Sequence, residues 1–416
     1  MDKDKSYINK NKYFAKIILK GVEDIEIKRG VWADADILQN ILGDAVITYI
    51  NDPKLNSTNS EINIYIEHID HKYFHTAKIN IFKLNHDIYF SELDSLYYLK
   101  PTDYIMCKSN DAVKLITLYK NKKKLRYGVK KLGFTSKIKC NLDNNLLTKK
   151  KHKKVIHIAG KSWMKNTLLI LETYLEYPDL GELTVICTDM CLRQGKHNYK
   201  SNGKFSYSEK YRWGQILNLI DRNNIGDRIR IFPNADEVKK SDGILSNQDS
   251  MDYVLSNYGL HLCPSEIEGW GHYLHEAKYC KNIVITTDKS PMNEHIKHGY
   301  NGFIVETFNG HQDDYGVYGR FGVKKAKFQI QDMANLIRNI KNMSDEQLSQ
   351  IANNAHKSFI DNDIKFKKNF IDFINVALKN YYIMQTNQNI LFFLLIILII
   401  ILLIIFLMFF IFFIKL

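Results

Sequence analysis

The second half of the chain alternates between short apolar runs and stretches in which apolar residues recur at helical spacing. The apolar runs predict strands at 155–160, 183–187, 228–232 and 258–263. The intervening stretches predict helices at 167–174, 209–221 and 250–257. Strands that alternate with helices indicate a parallel sheet, and ligands bind such sheets beyond the carboxyl ends of the strands.

The first half of the chain has a weaker pattern of the same kind. Strands are predicted at 45–50, 61–67, 79–84 and 104–107, and a helix at 111–119. A basic, polar stretch at 141–154 predicts a linker. Because 416 residues exceed one typical domain, we predict two Rossmann-like α/β domains, residues 1–148 and 149–382. The second domain is expected to end in helices at 331–342, 344–359 and 365–380.

The C-terminal segment 390–414 consists only of Ile, Leu, Phe and Met. At about 1.5 Å per residue it exceeds the roughly 30 Å hydrocarbon core of a bilayer, so it predicts a single transmembrane anchor. With two residues after it, we expect post-translational insertion, which leaves the domains on the cytosolic side. The first residues, 1–5, are charged rather than apolar, so no secretory signal peptide is expected.

Net charge and cysteine usage restrict the partners and the redox compartment that the sequence predicts. The formal net charge is +13, but the basic residues are scattered and form no nucleic-acid-binding signature, so no nucleic-acid partner is predicted. A basic surface that faces the membrane near the anchor explains this charge better than nucleic-acid binding does. The six cysteines show no dense framework, and several lie in apolar runs, which favours a reducing compartment.

The segment 263–277 carries the most informative chemistry. Two glutamates, Glu268 and Glu276, bracket seven residues that include the turn Gly269-Trp270-Gly271. Glycine lets the backbone approach a ligand closely, and the amides of the first helical turn that follows face outward at the positive end of the helix dipole. Such a turn suits a diphosphate. A plain strand-to-helix turn with an exposed acid in its first helical turn is the alternative.

A second strand-loop-helix unit precedes this motif in the sequence. The run 155–160 ends in glycine and is followed by Lys161, Ser162 and Lys165 before the helical pattern begins. A fixed cation at such a strand end can neutralise the charge that builds on a leaving nucleotide diphosphate. We therefore select Lys165 first and Lys161 second as phosphate-binding residues, with solvated surface lysines as the alternative.

These two units, together with 283–305, resemble the large family of retaining glycosyltransferases with the GT-B fold, called family 4 or group 1. The resemblance implies two domains that face each other across a cleft, a nucleotide-sugar donor, and no metal or other cofactor. It implies that Glu268 lies by the transferred sugar, that Glu276 binds the ribose, and that the backbone of Gly269, Trp270 and Gly271 holds the phosphates. Lys165, Lys161 and Ser162 take the place of the family's basic donor-binding element. The chain departs from the family at His272 and Tyr273, where an aliphatic residue and a proline are usual.

Three short segments of the first half resemble the eukaryotic and viral branch of the same family. They are 85–87, 107–109 and 133–136. The resemblance implies sugar or acceptor contacts for His86 and Asp87 and a phosphate contact for Lys108, and His272 is a further candidate for such a contact. Polar turns are the alternative at each position.

Two Asp-x-Asp triplets, 34–36 and 361–363, raise the alternative of a metal-dependent glycosyltransferase of another fold. The first lacks a convincing apolar strand before it, and the second lies between helical patterns far from the glutamate motif. We therefore interpret both as helix caps or turns and predict no metal site. The second alternative is a non-catalytic, membrane-anchored protein that binds a sugar nucleotide or acts as a scaffold. The favoured prediction is a retaining hexosyl-type transferase, whose acceptor is a glycan, a lipid-linked glycan or a protein.

Overall fold

In the computed structural model, the described residues are 14–19, 29–50, 52, 59–85, 93–137, 140, 152–160, 162–187, 227–244, 248–308, 317–318 and 323–415. The predicted helix 209–221 lies outside these ranges.

The first of two large sheets contains six parallel strands in the order β2-β1-β3-β4-β5-β6. The strands are β1 (Ala15–Leu19), β2 (Val46–Tyr49), β3 (Ser60–Ile66), β4 (Ala77–Leu84), β5 (Tyr104–Cys107) and β6 (Gly128–Lys131), and the helices among them are α1 (Arg29–Leu42) and α2 (Asn110–Lys122). Apolar side chains cover both faces of this sheet, which explains why its central strands are strongly apolar. The four strands and the helix predicted here are confirmed, whereas β1, α1 and β6 were not predicted.

The second sheet is also parallel, with the order β12-β11-β10-β7-β8-β9. Its strands are β7 (Val155–Gly160), β8 (Leu183–Cys187), β9 (Ile229–Phe232), β10 (Leu260–Cys263), β11 (Ile283–Thr287) and β12 (Phe303–Val305). Its helices are α3 (Thr167–Glu176), α4 (Ala235–Ser241), α5 (Ser250–Asn257), α6 (His272–Tyr279) and α7 (Met292–His295), and a small hairpin, β13 (Val317–Tyr318) and β14 (Val323–Lys324), follows. This order is that of a doubly wound sheet, whose switch point lies between β7 and β10.

The chain ends in two helices, α8 (Ile330–Asn342) and α9 (Asp345–Lys415). The start of α9 packs on the second sheet's core through Leu348 and Ile351, and its middle packs on the first sheet's core through Phe366 and Phe370. The helix therefore crosses from the second domain back to the first. The predicted break between helices at 359–365 is wrong.

Both Asp-x-Asp triplets lie inside helices, so their interpretation as caps or turns is wrong. The triplet 34–36 belongs to α1, with Asp34 on the buried side and Asp36 partly exposed. The triplet 361–363 belongs to α9, where Asn362 donates to the Phe134 carbonyl oxygen (2.8 Å) and Asp363 accepts from Thr135 (2.8 Å). Both triplets thus serve contacts within or between domains.

The five cysteines within the described residues divide into a disulfide pair and a buried set of three, and Cys191 lies outside those residues. Cys140 and Cys280 form a disulfide with Cα atoms 6.2 Å apart, which the sequence did not predict. Cys107, Cys187 and Cys263 are buried, as the apolar runs indicated. The pair links the segment that follows the first sheet to the end of α6.

Candidate active site

The strongest candidate site lies at the switch point of the second sheet. Lys165 follows β7 and Glu268 follows β10, and these two strands are neighbours in the sheet. Because a parallel sheet brings the carboxyl ends of adjacent strands together, residues 103 positions apart meet here. The structure thus joins two residues that the sequence selected separately.

A tight turn fixes the position of Lys165. The Ser162 hydroxyl accepts a hydrogen bond from the Met164 amide (3.3 Å) and caps the turn that contains Lys165. The next residue, Asn166, adopts a left-handed conformation with φ of 53°. Its side-chain amide donates to the carbonyl oxygens of Pro264 (2.9 Å) and Ala326 (2.8 Å). The turn is therefore tied to the loop that carries Glu268.

A connected set of polar side chains surrounds the pair. Lys165 Nζ contacts Glu268 Oε2 directly, and it donates to Ser265 Oγ at 3.3 Å. Ser265 Oγ donates to Glu268 Oε2 (3.0 Å), so the Tyr273 hydroxyl, 2.6 Å away, must donate to Ser265. The Lys165 ammonium also lies 3.9 Å from the centre of the Tyr273 ring. Tyr273, one of the two departures from the family pattern, thus supports both charged residues.

Both charged side chains remain partly accessible. The side chains of Lys165 and Glu268 are 13% and 18% exposed. Burial would raise the pKa of Glu268, but the attraction of Lys165 and the hydrogen bonds from Lys165 and Ser265 outweigh it and lower that pKa. Glu268 is therefore a carboxylate at neutral pH, held at the mouth of the sheet.

The glycine turn between the glutamates has a conformation that requires glycine at one position. Gly271 has φ of +90°, and a Cβ atom there would lie 2.8 Å from Met292 Sδ. Helix α6 begins at the next residue, and the amides of Leu274 and His275 both donate to the Gly271 carbonyl oxygen. The predicted helix start is confirmed, and Glu276 is half-buried in α6.

Trp270 has a different environment from the one its place in the motif suggests. Its indole is buried and stacks on His275, with ring centres 4.6 Å apart. It also packs against His295 and against Phe134 of the first domain. Only the backbone of Trp270 can therefore serve a ligand, while the indole joins the two domains.

His272, the other departure from the family pattern, reaches the first domain. Its Nε2 lies 2.9 Å from Asp34 Oδ1, and its Nδ1 lies 2.9 Å from Ser136 Oγ. Because a carboxylate only accepts, Nε2 carries a proton and donates to Asp34. In the neutral ring Ser136 therefore donates to Nδ1. The His272 side chain is 25% exposed.

Asp34 is the centre of a buried cluster in the first domain. It contacts the ammonium groups of Lys83 and Lys108, the latter at 3.0 Å, and Glu67 lies 4.0 Å from Lys83. Burial would raise the pKa of Asp34, but Lys108 and Lys83 hold it well below its usual range. Burial lowers the pKa of Lys108 to about 8, although Asp34 opposes the shift.

The remaining predicted residues are placed as follows. Lys108 is buried and paired with Asp34, so its ammonium does not lie open to a phosphate as predicted. Lys161, His86 and Asp87 lie outside the described residues. The sequence did not identify Asp34, Lys83 and Ser136 as residues of the site. Asp34 shares a helix face with Leu38, and a charged residue on an apolar helix face is a signal that it has a buried partner.

Among the described residues, no group of three or more His, Cys, Asp or Glu side chains is arranged to hold a metal ion. The α9 helix is the one helix among those residues that is long and apolar enough to cross a membrane.

Comparisons with known proteins agree with this arrangement. A model of the family described as glycosyl transferases group 1 matches residues 239–313, which include the glycine turn and α6. No sequence among the curated proteins matches the chain.

Several solved structures resemble most of the chain. A glycosyltransferase from Rickettsia africae ESF-5 has a TM-score of 0.58 and 13% identity, covering 89% of this chain and 100% of its own. HepE from Anabaena, in complex with UDP and glucose, has a TM-score of 0.54 and 11% identity, covering 88% of this chain and 100% of its own. These likenesses establish the fold, so the predicted GT-B architecture of two Rossmann-like domains with a long apolar C-terminal helix is confirmed.

Proposed function

We propose that this protein is a glycosyltransferase that moves a sugar from a nucleotide-sugar donor to an acceptor with retention of anomeric configuration. The observation that carries the proposal is the meeting of Lys165 and Glu268 at the switch point, beside the Gly271 turn and the start of α6. A cation, a carboxylate and outward-facing backbone amides at one strand edge are what a nucleotide diphosphate sugar needs. The group 1 family match over 239–313 supports the same assignment.

The chemistry assigned to this site follows from where charge develops. The bond between the sugar's anomeric carbon and the diphosphate oxygen breaks, and its electron pair leaves with the diphosphate. The acceptor's hydroxyl oxygen forms the new bond to the same carbon on the face from which the diphosphate departs, and the hydroxyl proton passes to the departing diphosphate. Lys165 and the amides of 269–271 stabilise that negative charge, and Glu268 positions the oxocarbenium-like sugar. Because these groups are held by Ser265 and Tyr273 before the donor arrives, little reorganisation is needed during the reaction. We assign Glu276 to the ribose and Lys161 to the phosphates.

The setting of the enzyme is part of the proposal. The apolar segment 390–414 forms a single membrane anchor, and the two domains face the cytosol. A glycan, a lipid-linked glycan or a protein is the acceptor, and we expect neither a metal nor another cofactor to be required.

The proposal is tested with the full chain in detergent. A panel of nucleotide sugars, beginning with UDP- and GDP-sugars, is screened for thermal stabilisation and nucleotide release, with and without EDTA. UDP-glucose is a reasonable first probe because HepE has been solved with it. We expect one base to stabilise the protein selectively, and turnover that EDTA leaves unchanged. NMR of the product's anomeric signal then reports retention or inversion.

Matched variants separate catalysis from folding. Lys165→Met and Glu268→Gln should each lower kcat by about 10²-fold or more. Arg338→Gln breaks an exposed ion pair of the same domain, with Asp179 at 2.6 Å, and should leave kcat unchanged. Normal turnover in both site variants would refute the site. Stabilisation by a sugar nucleotide without any turnover would instead indicate a binding or scaffold protein.

A further inference from the structure

The helix that joins the two domains continues without a break into the apolar segment. Helix α9 runs from Asp345 to Lys415, and the last of its buried residues is Leu378. One turn later, the Tyr382 hydroxyl lies 2.5 Å from Lys78 Nζ and 3.3 Å from Glu61 Oε1. A helix rather than a loop therefore connects the first domain to the segment 390–414, and the orientation of the domain follows from the direction of the helix.

The contacts of α9 show which edge of the first domain is nearer to the apolar segment. Asp363 contacts Thr135, which follows the end of β6 on the cleft side. Tyr382 contacts Glu61 and Lys78, which lie at the starts of β3 and β4. The helix thus runs antiparallel to the strands, from the cleft edge to the strand-start edge.

The rise per residue of a helix gives the distance of each contact from the start of the apolar segment. At 1.5 Å per residue, Tyr382 lies about 12 Å along the helix from Ile390, where the apolar segment begins. Asp363 lies about 40 Å from the same residue along the helix. A headgroup layer occupies roughly 5–8 Å on each side of a bilayer. The strand-start edge thus ends within about one Debye length, 8–10 Å, of the headgroups.

Exposed basic side chains concentrate on this same edge. The end of α2 and the loop that follows it expose Lys122, Lys123, Lys124 and Arg126. The Gly128 amide after this loop donates to the Asp103 carbonyl oxygen (2.8 Å) at the start of β5. With the other exposed basic residues near the strand starts, these side chains form what we call the basic edge: Lys72, Lys100, Lys122, Lys123, Lys124, Arg126 and Lys379. The exposed acidic residues described there are Asp44 and Asp94.

At the opposite edge, two of the exposed lysines are paired with acidic side chains. Near the cleft, Lys131 pairs with Glu294 at 2.7 Å, and Lys137 pairs with Asp36 at 3.2 Å. The seven residues of the basic edge form no ion pair with other described residues. Unpaired positive charge therefore lies on the side from which the apolar segment leaves.

We propose that the basic edge lies on the bilayer and binds anionic lipid headgroups, so that the cleft opens away from the membrane. Clustered lysines beside a membrane span attract anionic lipids, and the attraction acts over a Debye length. This inference rests on the membrane anchor proposed above and does not depend on glycosyl transfer.

The orientation limits the acceptor if the protein is a glycosyltransferase. The cleft stands about 40 Å along α9 from the start of the apolar segment, so the reacting hydroxyl must stand well above the headgroups. A glycan carried on a long lipid-linked chain or on a protein meets this requirement, whereas a sugar attached directly to a lipid headgroup does not.

The test places a fluorescent label on each edge of the full chain in nanodiscs. Asn121→Cys puts the label beside the basic edge without removing a charge, and Lys137→Cys puts it at the cleft edge, both in a Cys191→Ser background. The nanodiscs contain phosphatidylcholine with a headgroup nitroxide quencher, with or without about 30% phosphatidylserine. We expect several-fold stronger quenching at 121 than at 137 in anionic nanodiscs. We expect this difference to fall in neutral nanodiscs and in about 1 M salt, where the Debye length is near 3 Å.

Charge reversal identifies the residues responsible. Lys122→Glu with Lys123→Glu should weaken quenching at 121, whereas Lys240→Glu with Lys357→Glu makes the same charge change elsewhere and should not. Equal quenching at 121 and 137, or stronger quenching at 137, would overturn the inference. Quenching at 121 that does not change with lipid charge, with salt or with the charge-reversing substitutions would also overturn the inference. A chain that fails to enter nanodiscs overturns the anchor as well, and nucleotide release in detergent shows whether the proposed activity survives.

Discussion

Replacing Asp34 by Asn tests whether the buried charge cluster stabilises the protein and the contact between its two domains. The change keeps the shape of the side chain and an oxygen that can accept from His272, but it removes the negative charge between Lys83 and Lys108. Breaking a buried ion pair by removing one partner costs about 3–5 kcal/mol, because the other charge stays buried without compensation. For a domain of this size that corresponds to a fall in Tm of about 10 °C.

The pH dependence of the variant distinguishes lost charge from lost packing. Burial already lowers the pKa of Lys108 to about 8, and without Asp34 that pKa falls further. Between the folded pKa and the unfolded value of 10.5, the unfolded chain binds more protons, so stability rises with pH. That window is wider in the variant than in the parent. The difference in Tm between them should therefore shrink as the pH rises from about 7 to about 10.

The assay is differential scanning fluorimetry of the parent and variants across this pH range. Asp36 provides the matched control, since it belongs to the same triplet but is 38% exposed and pairs with an exposed lysine. Asp36→Asn should cost less than about 1 kcal/mol at every pH. A Tm of Asp34→Asn within the error of the parent, or a deficit that stays constant with pH, would refute the assigned role of the carboxylate.

Two further variants probe the surroundings of the site. Burial lowers the pKa of Lys278 to about 7, and among the described residues its amine donates only to the His295 carbonyl oxygen (2.9 Å). Lys278→Met should therefore stabilise the protein near pH 7 by up to about 4 kcal/mol, measured by urea unfolding. This gain in stability should shrink toward pH 10. Gly271→Ala should cost about 2–4 kcal/mol, because it adds a clash with Met292 to the strain of a positive φ. Gly299→Ala meets the same strain in open space and should cost less in the same measurement. Loss of stability in Lys278→Met at both pH values, or equal costs at the two glycines, would contradict these expectations.

The second sheet could be predicted from sequence because its strands are buried on both faces. Strands such as β8 and β10 have no exposed residue, so each appears as an apolar run with little polar interruption. Helix α5 is preceded by Asp249, whose side chain accepts from two amides at the helix start, and this is a local signal of the kind that sequence reasoning can use. These features depend on a few consecutive residues.

The first sheet was less legible because polar residues interrupt its elements. In β1 a buried lysine, Lys16, stands among apolar residues, and in α1 Asp34 occupies the buried face. From local sequence alone, each charged residue is predicted to lie on the surface. Its burial is energetically possible only because of contacts with residues distant in the sequence. Sequence reasoning therefore took the triplet that contains Asp34 for a cap or turn.

The residues of the site also differ in whether local sequence or only long-range contacts can identify them. Glu268 and the glycine turn belong to one short segment, and their motif suffices to select them. Asp34 meets Lys83, Lys108 and His272 across separations of 49, 74 and 238 residues, which no local pattern encodes. His272 and Tyr273, the two positions that depart from the family pattern, are the residues through which these parts connect: Tyr273 reaches Ser265 beside Glu268, and His272 reaches Asp34 in the first domain. A substitution in the first domain at Asp34 can therefore alter the surroundings of Lys165 and Glu268 through two adjacent residues of α6, without contacting either of them.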